Sequence, residues 1–443
     1  MTEVRGGDEL LALADRVMQR VPDGSQAEVT VTEEASALTR FANGGIHQNV
    51  ADLSLQLRLR VIRDGRSGIA EMRVAGDDVA GALVEAAEAV RGHSPVTDQV
   101  PLYSPDSGTD NSSGYSAATE TVTPEQRADQ VAAVCAAAAA RGQAAFGTCE
   151  TGVTAVAMVS SAGLRRTARR SVAELIAVCR TDEGSAYGAR HAADATHIDA
   201  HGLAAEVTDL CARNRGAEPL EPGTYEVVLS PYAVAEMLDY LGLVGLGGLT
   251  VLEKRSFMRF GERLMSESVT ITDDVGRSEL APLPFDGEGA TTRAVTIIDR
   301  GVCHAVVHDS VTAARAEVST TGHSFAQPNA DGPLPRYLCL AEGDGDQQSM
   351  VAACERGLLV TRFWYVRPVH PLATIITGMT RDGTFLIANG RVVRPVRDLR
   401  FTQSIVSALA DVRSIGADRL PIRGYFGATL APWLHLGAFS FTS

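Results

Sequence analysis

Ten histidines, seven cysteines and 54 acidic residues are available for metal or acid–base chemistry. A helix-borne zinc site of the His-Glu-x-x-His kind puts two imidazoles on one helical face and uses the glutamate as general base. No histidine in this chain is followed by glutamate. His304 and His308 have the i,i+4 spacing, but Val302, Val306 and Val307 after the Gly301 turn predict a strand. Four strand residues span roughly 13 Å, too far for both rings to reach one ion. His191, His197 and His201 follow no ligand spacing and read as loop histidines.

Nucleophile chemistry fares no better. His308, Asp309 and Ser310 are neighbours in sequence, whereas a triad needs groups that converge from different directions. There is no Gly-x-Ser-x-Gly elbow. Gly245-Leu246-Gly247-Gly248 falls short of a dinucleotide fingerprint and follows a helix, so it reads as a closely packed or flexible loop. Carboxylates are densest at Asp273-Asp274 and Asp286-Gly287-Glu288. Asp286 and Glu288 alternate on an extended segment and can face one side, yet acid pairs beside glycines commonly stabilise loops. From the residues alone, no active site is self-evident.

The scaffold is that of an ordinary soluble protein. Its 443 residues, 45% hydrophobic and 21% charged, exceed one simple core and predict two domains or three. A net charge of -14 argues against a nucleic-acid partner. The one dense basic cluster, Arg165, Arg166, Arg169 and Arg170, heads an expected strand; it reads as a solvated hairpin rim or, more sharply, as a docking patch for an acidic partner. The scattered cysteines form no CxxC pair, which predicts neither disulfide framework nor zinc knuckle and fits a reducing cytoplasm. Met1 to Gly7 lacks the basic start and apolar core of a signal peptide. The longest apolar stretch, Met237 to Leu249, is short of the ~20 residues that span a membrane.

Periodicity sets the elements. Residues 8–20 and 79–90 read as amphipathic helices, while Ala27 to Glu33 and Leu53 to Ile62 alternate as strands. Thr123-Pro124-Glu125-Gln126 is a capped helix start, and that helix continues to about Ala140. Strands are expected at 151–159, 169–180, 225–229, 269–272, 294–298, 302–307, 358–366 and 384–393, with helices at 203–214, 233–240, 348–356 and 404–413. The fold class expected is α+β: an N-terminal domain of mixed helices and antiparallel sheet, then a mostly antiparallel β domain. The boundaries expected are 1–100, a linker at 101–122, a central segment 123–217 completing the first domain, and 224–443.

Several strings, taken in order, resemble the TldD/PmbA family of metallopeptidases. The central block runs Arg255-Ser256-Phe257, Gly261-Glu262, Val269 to Asp274, and Pro284 to Gly289. Asp309-Ser310 with Thr312-Ala313, Ser319 to Gly322, Arg356 to Thr361, and Phe385 to Gly390 before Pro395-Val396 follow it. Arg40 to Asn43 with Ile46 to Gln48 resemble the family's first sheet, so the likeness spans nearly the whole chain. The resemblance implies that a catalytic, TldD-like subunit carries His-Glu-x-x-x-His just after the strand opening the C-terminal domain, plus a cysteine ligand near its C-terminus. Here that window reads Ser230-Pro231-Tyr232-Ala233-Val234-Ala235, and Gly424 to Ser443 holds no cysteine. The degenerate ligand positions are Ser230 and Ala235, and the general-base position is Pro231.

Loss of every metal-binding element together is the pattern of the TldE/PmbA-type partner. The resemblance therefore implies a noncatalytic subunit, with no cofactor of its own, that pairs with a zinc-bearing TldD-like chain acting on small or unfolded peptides or a peptide-like natural product. No nucleic-acid or membrane partner is expected. Asp286, Glu288, His308, His323, Gly245 and Gly247 are the candidate chamber and peptide-binding residues, and strand addition is one way such a subunit would hold an extended peptide. Two alternatives stand beside this reading: a homodimeric binding or scaffold protein, and a metal-independent hydrolase using Asp286, Glu288, His308 or His323.

Overall fold

The computed structural model describes residues 4–74, 79–97, 99–105 and 114–442. Much of the expected linker, at 106–113, lies outside the described residues, as do residues 1–3. Among the described residues, two sheets organise the chain.

The first sheet has six antiparallel strands: β1 (Gln26–Ala42), β2 (Gly45–Arg63), β3 (Arg66–Arg73), β4 (Ala144–Ser160), β5 (Arg165–Arg180) and β6 (Ser185–Ala192), in the order β3-β2-β1-β4-β5-β6. Alternation in sequence sets its two faces. Val29, Val31, Leu57, Leu59, Val153, Ala155 and Ala157 point one way and are buried against α1 (Gly7–Met18) and α2 (Ala80–His93). Further along, Cys149, Leu175 and Ala177 pack on α4 (Pro124–Ala140) and α5 (Ala200–Arg213), beyond the short α3 (Ala117–Glu120). Each fully buried Val or Leu contributes about 1.5–3 kcal/mol relative to exposure. Thr123 caps α4 by accepting from the Gln126 amide, while the Gln126 side chain reaches back to Thr123.

The opposite face meets the second half of the chain. Val156, Met158, Leu164 and Ala168 pack around Phe285. Part of the arginine cluster is used here, while Arg165 stays half exposed at the rim. Arg166 is buried, bonded to Thr291 and set over Phe285, Arg169 pairs with Glu120, and Arg165 pairs with Asp15.

The second sheet is mixed and has 13 strands. They are β7 (Gly223–Leu229), β8 (Ile271–Asp273), β9 (Val295–Asp299), β10 (Val302–Cys303), β11 (Leu338–Leu340), β12 (Arg356–Val360), β13 (Phe363–His370), β14 (Ile375–Thr380), β15 (Thr384–Ala388), β16 (Arg391–Pro395), β17 (Arg400–Ser404), β18 (Val412–Arg423) and β19 (Ala428–Phe441). Most pairings are antiparallel; β7 with β12 and β11 with β19 are parallel. Central β7 lies between β12 and β19. Val227 and Leu229 on one face of β7 join the main core, where α6 (Pro231–Gly245) packs Ala233, Val234, Met237, Leu238 and Leu241. Val228 on the other face joins a smaller core with Leu359, Phe385 and α9 (Gln347–Ala353), leaving α7 (Gly248–Leu252), α8 (Ser310–Ala316) and α10 (Ile405–Ala410) as short connectors.

Three expectations are corrected. Only Val302–Cys303 of the segment 302–307 is strand, because the chain then turns to cap α8 with Asp309. Gly245 to Gly248 is not a free loop: α6 ends at Gly245 and α7 begins at Gly248, with only Leu246 and Gly247 between them. His191 is not a loop histidine but a buried residue of β6.

Candidate functional site

The first turn of α6 carries the Ser230–Ala235 window and sits between two cavities. One, of about 420 Å³, is lined by Ser230, Pro231, Tyr232, Arg190, Arg213 and Trp433 among others. The other, of about 320 Å³, is lined by Ala235, Glu236, Asp239, Arg362, Arg423 and Tyr425 among others. Tyr187 and Tyr232 line both, with their rings edge to face at 5.4 Å.

Local chemistry explains this arrangement. Ser230 is the N-cap of α6, and Pro231 takes the first helical position, where a missing N–H costs nothing. The Ser230 hydroxyl does not cap its own helix; it donates to the Thr361 carbonyl, while its amide bonds to Val360. Ser230 is 2% exposed and its hydroxyl is committed, so it is no nucleophile. Tyr232 sends its hydroxyl to β6, accepting from the Ala189 amide at 3.0 Å and from Arg190 at 3.2 Å, and approaching the Ala189 carbonyl at 3.2 Å. The edge strand is thereby capped at Ala189, so strand addition cannot occur there.

Glu236 and Asp239 give the smaller cavity its charge. Burial, reinforced by Asp239, raises Glu236 to about 7, against the pull of Arg362 and Arg367. Burial raises Asp239 to about 6, although the Thr429 hydroxyl donates to it at 2.7 Å. Across the cavity, Arg423 reaches Glu150 at 3.1 Å and Glu174 at 3.4 Å. Burial still raises Glu174, outweighing Arg423. Arg362 pairs with Asp382 at 2.9 Å and stacks over Tyr187 at 3.7 Å. Two carboxylates that take up protons near neutrality, two fixed guanidinium groups and two phenols form a polar, half-enclosed binding surface.

This surface does not fit a zinc ion. Pro231 and Ala235 offer no ligand atom, Ser230 is engaged, and neither cavity is lined by histidine or cysteine. Thiolate or imidazole is what zinc sites are mostly made from. No step is routed through a metal here.

The other candidates lie elsewhere and are held in networks of hydrogen bonds. Asp286 is 3% exposed and accepts from the amides of Ser324, Glu288 and Ala290 at 2.7–2.9 Å. Glu288 accepts from both the amide and the hydroxyl of Ser310 at the start of α8. Burial and the neighbouring Asp286 raise it to about 7. His323 is fully buried with Nε2 at 2.9 Å from Asp273 and Nδ1 at 2.9 Å from Thr321, whose hydroxyl also approaches the His308 carbonyl. The His308 ring faces Thr312 at 3.2 Å. The four residues join one knot of loops, in which Glu288 and His323 are buried, His308 is half-buried, and Asp286 borders a separate cavity of about 240 Å³ with Arg58 and Phe325. Gly245 lies against the Phe257 ring and Gly247 against the Pro333 carbonyl, so both are close-packing positions.

Sequence reasoning passed over Glu236, Asp239, Arg362 and Arg423. The first two were visible as the only charges in the apolar run of α6, one turn apart. The arginines converge on them only through the fold.

Comparison with known proteins agrees with the fold. Residues 222–443 match the family model described as PmbA/TldA metallopeptidase C-terminal domain. A metalloprotease of Methanothermobacter thermautotrophicus is 23% identical over 46% of this chain and 45% of its own length. A metalloprotease PmbA homolog of Buchnera aphidicola is 25% identical over 30% of this chain and 28% of its own. The matched region thus spans less than half the length of these curated relatives. The crystal structure of TldE from Thermococcus kodakarensis superposes with a TM-score of 0.87 at 16% identity, covering 99% of this chain and 100% of that one. With half of its length matched by the family model, the chain belongs to the PmbA/TldD metallopeptidase family.

Proposed function

We propose that this chain is the noncatalytic partner subunit of a heterodimeric zinc metallopeptidase, in which a TldD-like subunit supplies the metal and this one helps hold the peptide. The observation that supports the proposal is a charged cavity beside a window that offers no metal ligand. Where the catalytic motif would stand, Ser230 is hydrogen-bonded into the scaffold and the next turn presents Glu236 and Asp239 opposite Arg362 and Arg423. Carboxylates and guanidinium groups suit the charged termini and amides of short or unfolded peptides. Holding a peptide beside the partner's zinc-bound water would lower the entropic part of the barrier without any chemistry from this chain.

Because Tyr232 caps β6 at Ala189, the peptide is held by side chains at this point and not by an added strand. The metal-independent hydrolase reading is less favoured, since Asp286, Glu288 and His323 are buried within loop contacts and His308 alone of its candidates is half-buried. Coexpression with a TldD-like subunit tests the proposal. A complex that copurifies and cleaves peptides only without chelator is expected. Two chains that never associate would refute it.

A further inference from the structure

On the sheet face turned away from α6, three ligand types converge from three elements. Glu226 comes from β7, His435 from β19, and Cys354 from the end of α9. Their nearest donor atoms all lie within 4.8 Å of one another. Among the described residues this is the one such convergence of three metal-ligating side chains. We propose that these residues form a zinc site, separate from the degenerate motif on α6 and independent of the peptidase reading.

The geometry is that of a built site. Cys354 is fully buried, His435 is 2% exposed, and the Glu226 side chain, 26% exposed, leaves a route in from solvent. His435 Nε2 lies 2.8 Å from a Glu226 oxygen, yet that oxygen is off the ring N–H axis and the buried nitrogen has no hydrogen-bond partner. A buried polar atom left unpaired costs about 1–3 kcal/mol. A metal ion placed between these groups would satisfy it. Zinc bonds of about 2.0–2.3 Å to O, N and S place tetrahedral ligand atoms roughly 3–4 Å apart, a spacing that groups already within 4.8 Å of one another reach by small side-chain shifts.

The donor set selects the ion. Thiolate with imidazole favours zinc over magnesium or calcium, which take oxygen ligands. Without metal the Cys354 thiol keeps its proton: burial, then the adjacent Glu226 carboxylate, push it up to about 12. Zinc binding replaces that proton, which leaves to solvent, and the sulfur becomes a thiolate ligand. His435 binds as neutral imidazole through Nε2, and water from the Glu226 side completes four-coordination. All three protein ligands are then used structurally, tying β7, β19 and the α9–β12 junction together behind the cleft.

Elemental analysis of the purified chain, equilibrated with zinc and then desalted, tests this without any partner subunit. About one zinc per chain is expected, falling roughly tenfold or more in Cys354→Ser and in His435→Gln. Cobalt substitution of the unaltered chain should give a thiolate-to-metal charge-transfer band, a readout that stands even where a variant fails to fold. Background zinc in the unaltered chain, zinc retained by both variants, or a cobalt spectrum without the thiolate band would each overturn the site. None of these outcomes bears on assembly with a catalytic subunit.

Discussion

The Tyr232 hydroxyl is bonded to both backbone polar groups of Ala189, at 3.0 Å to the amide and 3.2 Å to the carbonyl. A residue in the middle of the degenerate metal window thus fastens the second sheet's helix to the edge strand of the first. The window has become a joint between the two halves, with a cavity on either side. Tyr232→Phe removes a buried hydroxyl and leaves the Ala189 amide unpaired, while the Ala189 carbonyl keeps the Arg190 guanidinium at 2.9 Å. Urea unfolding should show a loss of about 1–3 kcal/mol.

Glu236 makes stability depend on pH in a defined direction. Its folded value, about 7, lies above the ordinary carboxyl value of 4.5. The unfolded chain therefore gives up this proton first as pH rises. The contribution is complete below about pH 4.5 and is lost as pH rises through about 7. Glu236→Gln removes that dependence. Relative to the unaltered chain, the variant should gain on the order of 2 kcal/mol between pH 4.5 and 8, read from unfolding curves at each pH.

Asp273 and His323 form a fully buried pair at 2.9 Å, and the second Asp273 oxygen accepts the amides of Arg336 and Tyr337. Asp273→Ala strands these donors and should cost about 3–5 kcal/mol. Peptide cleavage per folded, assembled complex should remain unchanged. A selective loss of turnover would return His323 to the candidate catalytic residues.

Gly245 tests the boundary between packing and binding. A Cβ there would lie 2.5 Å from the Phe257 ring. Gly245→Ala should destabilise the chain by about 1–3 kcal/mol in thermal or denaturant unfolding. The KM for peptide should stay the same, because the residue is buried away from both cavities.

Local rules made much of the scaffold legible. The capping box at Thr123 and Gln126 places α4 at the bounds read from sequence, and alternation around Val29 and Leu57 places β1 and β2. The long C-terminal hairpin of β18 and β19 was missed. Pro421 and Pro432 argue locally against strands, and tertiary pairing with β7 overrides them. Short α8 was hidden because Asp309 caps it immediately after a Val-rich run. Gly242 and Gly245 suggest a loop by propensity, but α6 tolerates them because Pro335 and Phe257 approach closely. The lack of metal ligands between Ser230 and Ala235 was legible in the sequence. The charged cavity beside it was not, since Arg362 and Arg423 are far from Glu236 in sequence.

Steady-state kinetics of the assembled pair test the division of labour most directly. With Glu236→Gln or Arg423→Ala in this subunit, KM for a short peptide should rise about tenfold, a loss of roughly 1.4 kcal/mol of binding, while kcat holds. This chain alone should hydrolyse nothing. Peptide cleavage by the isolated chain, or variants that lower kcat with KM unchanged, would contradict a binding subunit and place chemistry in this cleft.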